Sequence, residues 1–463
     1  MVSLASQAEL PRHRAAQRPP GSALLNRIAA PILAIEISPG GRATRRGARE
    51  ARKGQEEVRG GRVFAVQYAQ QLSFAESYGA YVGAMDRLLA AQVVPYLAQG
   101  RPNLVVLNED IGLLTAFMGR RAAVARGCGS APGAALRAFG LLGDAYAPQV
   151  AYYQRRSPEV SATRALFLAL SDVMNRAFLS TFGPLAARYG VYLIAGACMA
   201  PATTDATAEE EVLLGDPERP PGAPVYVAHG PAVYNAAYLW DPTGAVVGQS
   251  RKVNLTAEEG PGGLDLTPAT LGPTDVPILD TPLGRLGVAI SLDAFVPSYV
   301  RYLHDHGAEI LVQPEANSGL WAAYSDMTED PPGWQPQTWM ASCWQAVQTY
   351  PGFRYGINPF MVGNLFDIPF DGQSAIVVKC PPGRHEGYYA GNGAPVDGEP
   401  WSGPRSGFLR LAPWVLPSHF NRAALQERAI ALAPGSGAPE ENAYMETCLW
   451  ADIDLDAADP TPE

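Results

Sequence analysis

Three residues stand where apolar runs end and a side chain could do chemistry: Glu109 after NLVVLN, Lys252 after VVGQSR and Ser291 after GRLGVAI. A carboxylate, an ammonium and a hydroxyl brought together could carry acyl chemistry. The carboxylate takes the proton of the nucleophile. The nucleophile adds to a carbonyl or nitrile carbon. The ammonium, with a backbone N–H, stabilises the charge that develops on oxygen or nitrogen. Each run reads as a buried strand, and in α/β sheets the functional cleft lies at strand ends. Alone, each of the three would read as an ordinary ion pair, a surface charge or a polar turn.

The elements that must position them follow from periodicity. RVFAVQYAQ, Arg62 to Gln70, reads as a first buried strand, and Phe74 to Leu97 as a helix with one apolar face. NLVVLNED supplies a second strand, giving the β-α-β order of an α/β layer fold. Residues 112–163 are rich in Gly, Ala and Pro and predict short helices or loops over a cleft. Ala165 to Tyr189 reads as one helix, VYLIAGA as a strand and residues 201–224 as a polar loop. VYNAAYLWDPTGAVVGQSRKVNL predicts a hairpin around Asp241-Pro242-Thr243-Gly244. SYVRYLHDHG predicts a helix closed by Gly307, followed by a strand through ILV. Residues 325–357 hold a Trp- and Gln-rich helical piece. NPFMVGNLFD and GQSAIVVKC predict two strands around a turn, and TCLWADIDL a last strand.

The bulk numbers bound the function. The net charge of −10 argues against a general nucleic-acid binder. Residues 1–60 carry 11 Lys/Arg against 5 Asp/Glu and read as a disordered basic tail, with residues 61–463 as the folded domain. The Gly40-Gly41 pair there is no phosphate loop, because no GK[ST] follows. Five cysteines without a CxxC pair fit neither a disulfide framework nor a zinc knuckle, and point to a reducing cytoplasm. Cys198 and Cys343 read as small core residues. The apolar stretch Ala29 to Ile37 is shorter than the ~20 residues that span a bilayer, so no membrane association is expected. His304 and His306 are two apart and do not share a helix face, so no metal is expected. No dinucleotide fingerprint follows the first strand, so no cofactor is expected either. Trp321, Trp334, Trp339 and Trp344 read as a substrate mouth or as packing, and Asp371-Gly372-Gln373-Ser374 as a structural turn.

Taken in order, three segments resemble those of the carbon–nitrogen hydrolase (nitrilase/amidase) superfamily. They are LVVLNED, VYNAAYLWDPTGAVVGQSRKVNLTAEEG and LGVAISLDAFVPSYVRYLHDHGAEILVQPEAN. The resemblance covers roughly residues 62–380 and the last strand. It implies a four-layer αββα sandwich, a homodimer or higher homo-oligomer, and hydrolysis of a small amide, nitrile or carbamoyl substrate. By position it implies Glu109 as general base, Lys252 as electrophilic support, Ser291 at the nucleophile position and the Leu292 N–H on the oxyanion. A second acid after the Lys segment fits Glu259 best, with Glu258 adjacent.

Three positions depart from the pattern: Asn108 for a proline, Asn254 for a histidine and Ser291 for the cysteine. The last matters most. A thiol near pH ~8.5 can be held as thiolate by a neighbouring charge, whereas an alkanol is far more basic. Serine enzymes recruit His or Lys as base. Lys252 would serve only if burial lowered its pKa, and Glu109 beside it pushes the other way. Weak or absent turnover is therefore expected. Either Ser291 is a replacement that disables an enzyme, or it is native to a slow serine hydrolase or to a silent ligand binder or scaffold.

Overall fold

A computed structural model describes residues 59–272, 277–323, 335–380, 407–412 and 422–457. The expected basic tail, except for its last two residues, lies outside them, as do the Gly40-Gly41 pair, Trp334 and much of 381–440.

The chain builds two sheets in alternation. It opens the first with β1 (Gly60–Ala69), β2 (Asn103–Val106), β3 (Tyr192–Met199), β4 (Tyr234–Trp240) and β5 (Val246–Arg251). It starts the second with β6 (Ile278–Thr281), β7 (Gly284–Val288), β8 (Ile310–Val312) and β9 (Tyr355–Asn358). It returns to the first with β10 (Met361–Leu365) and β11 (Ile368–Phe370), then to the second with β12 (Ala375–Val378) and β13 (Phe408–Leu411). β14 (Thr447–Asp454) closes on β1. The first sheet runs β11-β10-β1-β2-β3-β4-β5, and the second β13-β12-β9-β8-β7-β6. The centre of each is parallel: β10, β1, β2 and β3 in one, β7, β8 and β9 in the other.

Strand periodicity turns these sheets into layers. Successive side chains point to opposite faces. Val63, Ala65, Leu104 and Val106 of the first sheet meet Leu286, Val288, Ile310, Val312, Ile357 and Ile376 of the second in one core. The alternate residues Phe64, Val66 and Val105 face outward onto helices Tyr78–Gln92 and Ser171–Tyr189. Leu311, Ala375 and Val377 face outward onto helices Pro297–Asp305, Gln335–Thr349 and Arg422–Leu432. The result is the expected four-layer αββα sandwich. Each fully buried Leu, Val or Phe contributes roughly 1.5–3 kcal/mol to that assembly.

Several expectations need correction. Residues 112–163 are mainly helical, with helices Ala123–Arg126, Ala134–Ala145 and Ala147–Arg156, and Ala162–Ala169 starting there. Of the short helices or loops expected there the helices are formed, and their Ala and Leu residues pack into the first outer core. The helix expected from Ala165 is two, broken at Leu170, where the Ser171 hydroxyl folds back to the Leu168 carbonyl at 2.7 Å. The polar loop 201–224 contains helix Ala208–Leu214, started by a reciprocal cap between Thr207 and Glu210. The helix expected over Phe74 to Leu97 is α-helical only from Tyr78 to Gln92, with a 3₁₀ turn on either side. NPFMVGNLFD and GQSAIVVKC do not pair around a turn; β10 and β12 lie in different sheets with β11 between them. The Asp241–Gly244 hairpin and the helix ended by Gly307 (φ 82°) are formed as expected.

Candidate active site

Glu109 sits in a turn just past β2. Gly196 of β3 makes room for it, since a Cβ there would lie 1.7 Å from the Glu109 carbonyl oxygen. Gly196 N–H donates to the Asn108 carbonyl at 3.1 Å, and Asn108 Nδ2 donates to Val66 O at 3.1 Å. Lys252 follows β5 directly and is 1% exposed. Its Nζ donates to Glu109 Oε1 and lies against Glu259 Oε2, at 2.7 Å each. Asn235 of β4 bridges the two acids, its Nδ2 donating to Glu109 Oε1 and Glu259 Oε1, both at 2.7 Å. Glu259 is buried, whereas Glu258 is exposed. The Ala316 N–H donates to the other Glu109 oxygen at 3.1 Å.

Ser291 comes from the second sheet. It follows β7 by three residues and begins the 3₁₀ turn Ser291–Phe295, with Leu292 second in that turn. Its N–H donates to Pro314 O at 3.1 Å. Its φ of 48° is left-handed backbone, which costs a non-glycine residue of order 1–3 kcal/mol. The turn is locked to the lysine segment through Asp293, whose Oδ1 accepts from the Asn254 N–H at 2.7 Å, Asn254 Nδ2 at 2.8 Å and the Val253 N–H at 3.2 Å. The structure thus brings Glu109, Lys252 and Glu259 into direct contact and ties the Ser291 turn to the residues after Lys252.

Electrostatics sort these groups. Burial pushes the Glu109 carboxyl up to about 8, against the pull of Lys252 and with the help of Asp110 and Glu259. Asp110, beside Cys198 Sγ at 3.2 Å, is raised to about 6, chiefly by burial. Asp293 is likewise raised to about 6, against its backbone donors. Burial alone would lower Lys252, but the charges of Glu109 and Glu259 outweigh it and hold the ammonium above its usual range. Lys252 is therefore charged and cannot serve as the base for Ser291.

Two residues with a place in the site drew no role from the sequence. Asn235 is a neutral donor on a strand, and only the fold shows that it faces both acids. Glu315, fully buried, lies against the Ser291 side chain. His304 packs on Tyr350 and Phe353, and no cluster of metal-ligating side chains occurs among the described residues. Cys343 is buried in helix Gln335–Thr349. Trp321 and Trp339 pack on Phe360. In the Asp371–Ser374 turn, Asp371 Oδ2 accepts from Trp321 N–H at 3.0 Å and Ser374 Oγ from Phe360 N–H at 2.9 Å. No helix among the described residues is long and apolar enough to cross a membrane.

Residues 157–377 match the carbon-nitrogen hydrolase family. The matched segment includes Lys252, Glu259 and Ser291 and begins after Glu109. A hydrolase of Schizosaccharomyces pombe is 29% identical over 86 residues, which is 18% of this chain and 27% of the relative. The chain thus spans about a quarter of the length of the curated relative it matches. Among solved structures, a carbon-nitrogen hydrolase from Helicobacter pylori G27 aligns with 17% identity over 86% of this chain and 90% of its own, at a TM-score of 0.43. An amidase of Nesterenkonia AN1 from the nitrilase superfamily, in a mutant form, aligns with 14% identity over 86% and 92%, at a TM-score of 0.41.

Proposed function

We propose that this carbon–nitrogen hydrolase domain acts on a small amide, nitrile or carbamoyl compound, with Glu109 as base, Lys252 as electrostatic support, Glu259 as the acid that positions Lys252, Ser291 at the nucleophile position and the Leu292 N–H on the oxyanion. The observation that carries this reading is the Lys252 ammonium held at 2.7 Å between two buried carboxylates, beside a strained turn that begins at Ser291. Strain of that kind gathers where a side chain must be presented to a ligand. Glu109 accepts a proton only when ionised, so turnover rises with pH through about 8.

A second reading, a silent family member that binds a ligand, is favoured by one observation. Lys252 is held charged, so Ser291 has only a carboxylate to take its proton. Release of ammonia from a panel of amides, nitriles and carbamoyl compounds separates the two, with the native chain run beside Ser291→Cys. Turnover by the cysteine form alone means an intact pocket with a disabling serine. Turnover by the native form, lost in Ser291→Ala, makes serine the nucleophile. No turnover by either form overturns the hydrolase reading for this chain.

A further inference from the structure

One buried acid at the site has no part in that mechanism. Glu315 continues β8 through Gln313 and Pro314 and is 0% exposed. Its backbone is pinned on both sides: its N–H donates to Pro359 O at 3.0 Å, and its carbonyl accepts from the Met361 N–H at 3.1 Å. The groups that face its carboxyl are the Ser291 side chain, Gln313, the Glu109 charge and the Lys252 ammonium, with Cys343 nearby on helix Gln335–Thr349.

The direction of the surrounding hydrogen bonds places its proton. The Ser342 hydroxyl donates to the Trp339 carbonyl at 2.7 Å, so toward Gln313 it must accept. Gln313 therefore presents its amide nitrogen, which donates to Ser342 Oγ at 2.7 Å and to Glu315 Oε1 at 2.5 Å. Oε1 is thus an acceptor. Oε2 is buried and meets no close, well-angled hydrogen-bond partner among the described residues, although the Ser291 side chain lies near enough to the carboxyl to pull it down. Lys252 is committed to Glu109 and Glu259. Burial, and then the Glu109 charge, push Glu315 well above the ordinary carboxyl range, against the pull of Gln313, Lys252 and Ser291, which leaves Oε2 as the oxygen to hold a proton.

We propose that Glu315 is a second catalytic carboxyl, the general acid that protonates the leaving nitrogen while Glu109 acts as base. The assignment rests on the hydrolase reading above. As Ser291 Oγ bonds to the carbonyl carbon, its proton passes to Glu109 and the carbonyl electron pair moves onto oxygen. The C–N bond then breaks, its electron pair stays on nitrogen, and nitrogen takes the Glu315 proton and leaves as ammonia or an amine. Water adds to the acyl-serine and returns a proton to Glu315. The ester C–O bond breaks, Oγ recovers the proton from Glu109, and both carboxyls are reset. Two acids with different partners thus take the two roles.

The test compares leaving groups. Glu315→Gln, in both the native chain and Ser291→Cys, should lower turnover of an amide roughly 10²–10⁴-fold. The acylation burst on a p-nitrophenyl ester, whose leaving group needs no proton, should stay within about tenfold. Equal losses on both substrates overturn the assignment. A measurement free of turnover accompanies it: the infrared carbonyl stretch of a protonated carboxyl in the full chain at neutral pH. One such band should be lost in Glu315→Gln while that of Glu109, raised to about 8, remains; a spectrum left unchanged by Glu315→Gln overturns the assignment even if turnover is seen. Turnover of neither amide nor ester by any form, with the band present, overturns the hydrolase reading and this role with it.

Discussion

The two sheets bring acids to the same place under opposite rules. The first sheet contributes Glu109, Lys252 and Asn235, and the loop after β5 adds Glu259. Every charge there has a partner at 2.7 Å. The second contributes Ser291, Gln313 and Glu315, and one Glu315 oxygen lacks a well-angled hydrogen bond among the described residues, with the Ser291 side chain beside the carboxyl. Burial is equally complete on both sides. What differs is the cation: Lys252 touches Glu109 and Glu259 and pulls Glu109 down against burial, whereas it acts on Glu315 only as a minor pull. On the proposed roles, that pairing rather than depth would sort the base from the acid.

The largest expected effect comes from removing the cation. Lys252→Met leaves Glu109 and Glu259 buried without compensation and should cost about 3–5 kcal/mol of folding stability as well as all turnover. The sign with pH follows from the direction of the shifts. Glu109 already titrates near 8 in the folded chain, above its unfolded value, so its contribution is fully present below about pH 4.3 and is lost as pH rises through about 8. Without Lys252 the folded value climbs further. Urea unfolding should therefore show the variant closest to the native chain near pH 4 and furthest from it above pH 8. A penalty independent of pH would mean that Lys252 acts by packing rather than by charge.

A smaller effect, of opposite sign, is expected on the second sheet. Ser291→Gly removes the Cβ that the φ of 48° disfavours and should stabilise the fold by about 0.5–1 kcal/mol while abolishing any chemistry of Oγ. The urea midpoint checks this directly. A fall in the midpoint would show that the Ser291–Glu315 contact is worth more than the strain.

Much of this was legible in the sequence, and the misses have physical causes. Apolar runs gave β1, β2 and β3, because a strand buried on both faces reads the same way in any context, and the largely apolar runs of β7 and β14 gave those strands too. The turn at Asp241–Gly244 gave the register that delivers Lys252. For 112–163 short helices and loops could not be told apart, because Ala and Gly occur in helix and loop alike. Thr207 and Glu210 were a readable capping box that length and polarity concealed. At the site, Glu109, Lys252 and Ser291 came from residue type at strand ends. Glu315 was invisible: an acid between proline and alanine carries no signal, and only the fold shows that it is fully buried, with its backbone bridged to Phe360. Asn235 was equally silent, since its importance lies in facing two acids that are distant in the chain.

The smallest expected effect separates two neighbours. Glu258 and Glu259 are adjacent, and the sequence favoured Glu259 without deciding firmly. The turn exposes Glu258 and uses only its backbone, whose carbonyl accepts from the Leu264 N–H at 2.7 Å. Glu259 spends both carboxyl oxygens: Oε1 on Asn235, and Oε2 on Lys252 and on the Thr256 N–H at 2.9 Å. Glu258→Gln should therefore shift stability by no more than ~0.5 kcal/mol and leave turnover as it was. Glu259→Gln offers one oxygen and one amide where three donors converge. An unmatched buried donor costs about 1–3 kcal/mol, and Lys252 loses one of its two anchors. Unfolding midpoints and turnover of the two variants, measured side by side, should differ in that direction. Equal effects would mean that the Lys252 position depends on Glu109 alone, and that the second acid belongs to the fold rather than to the chemistry.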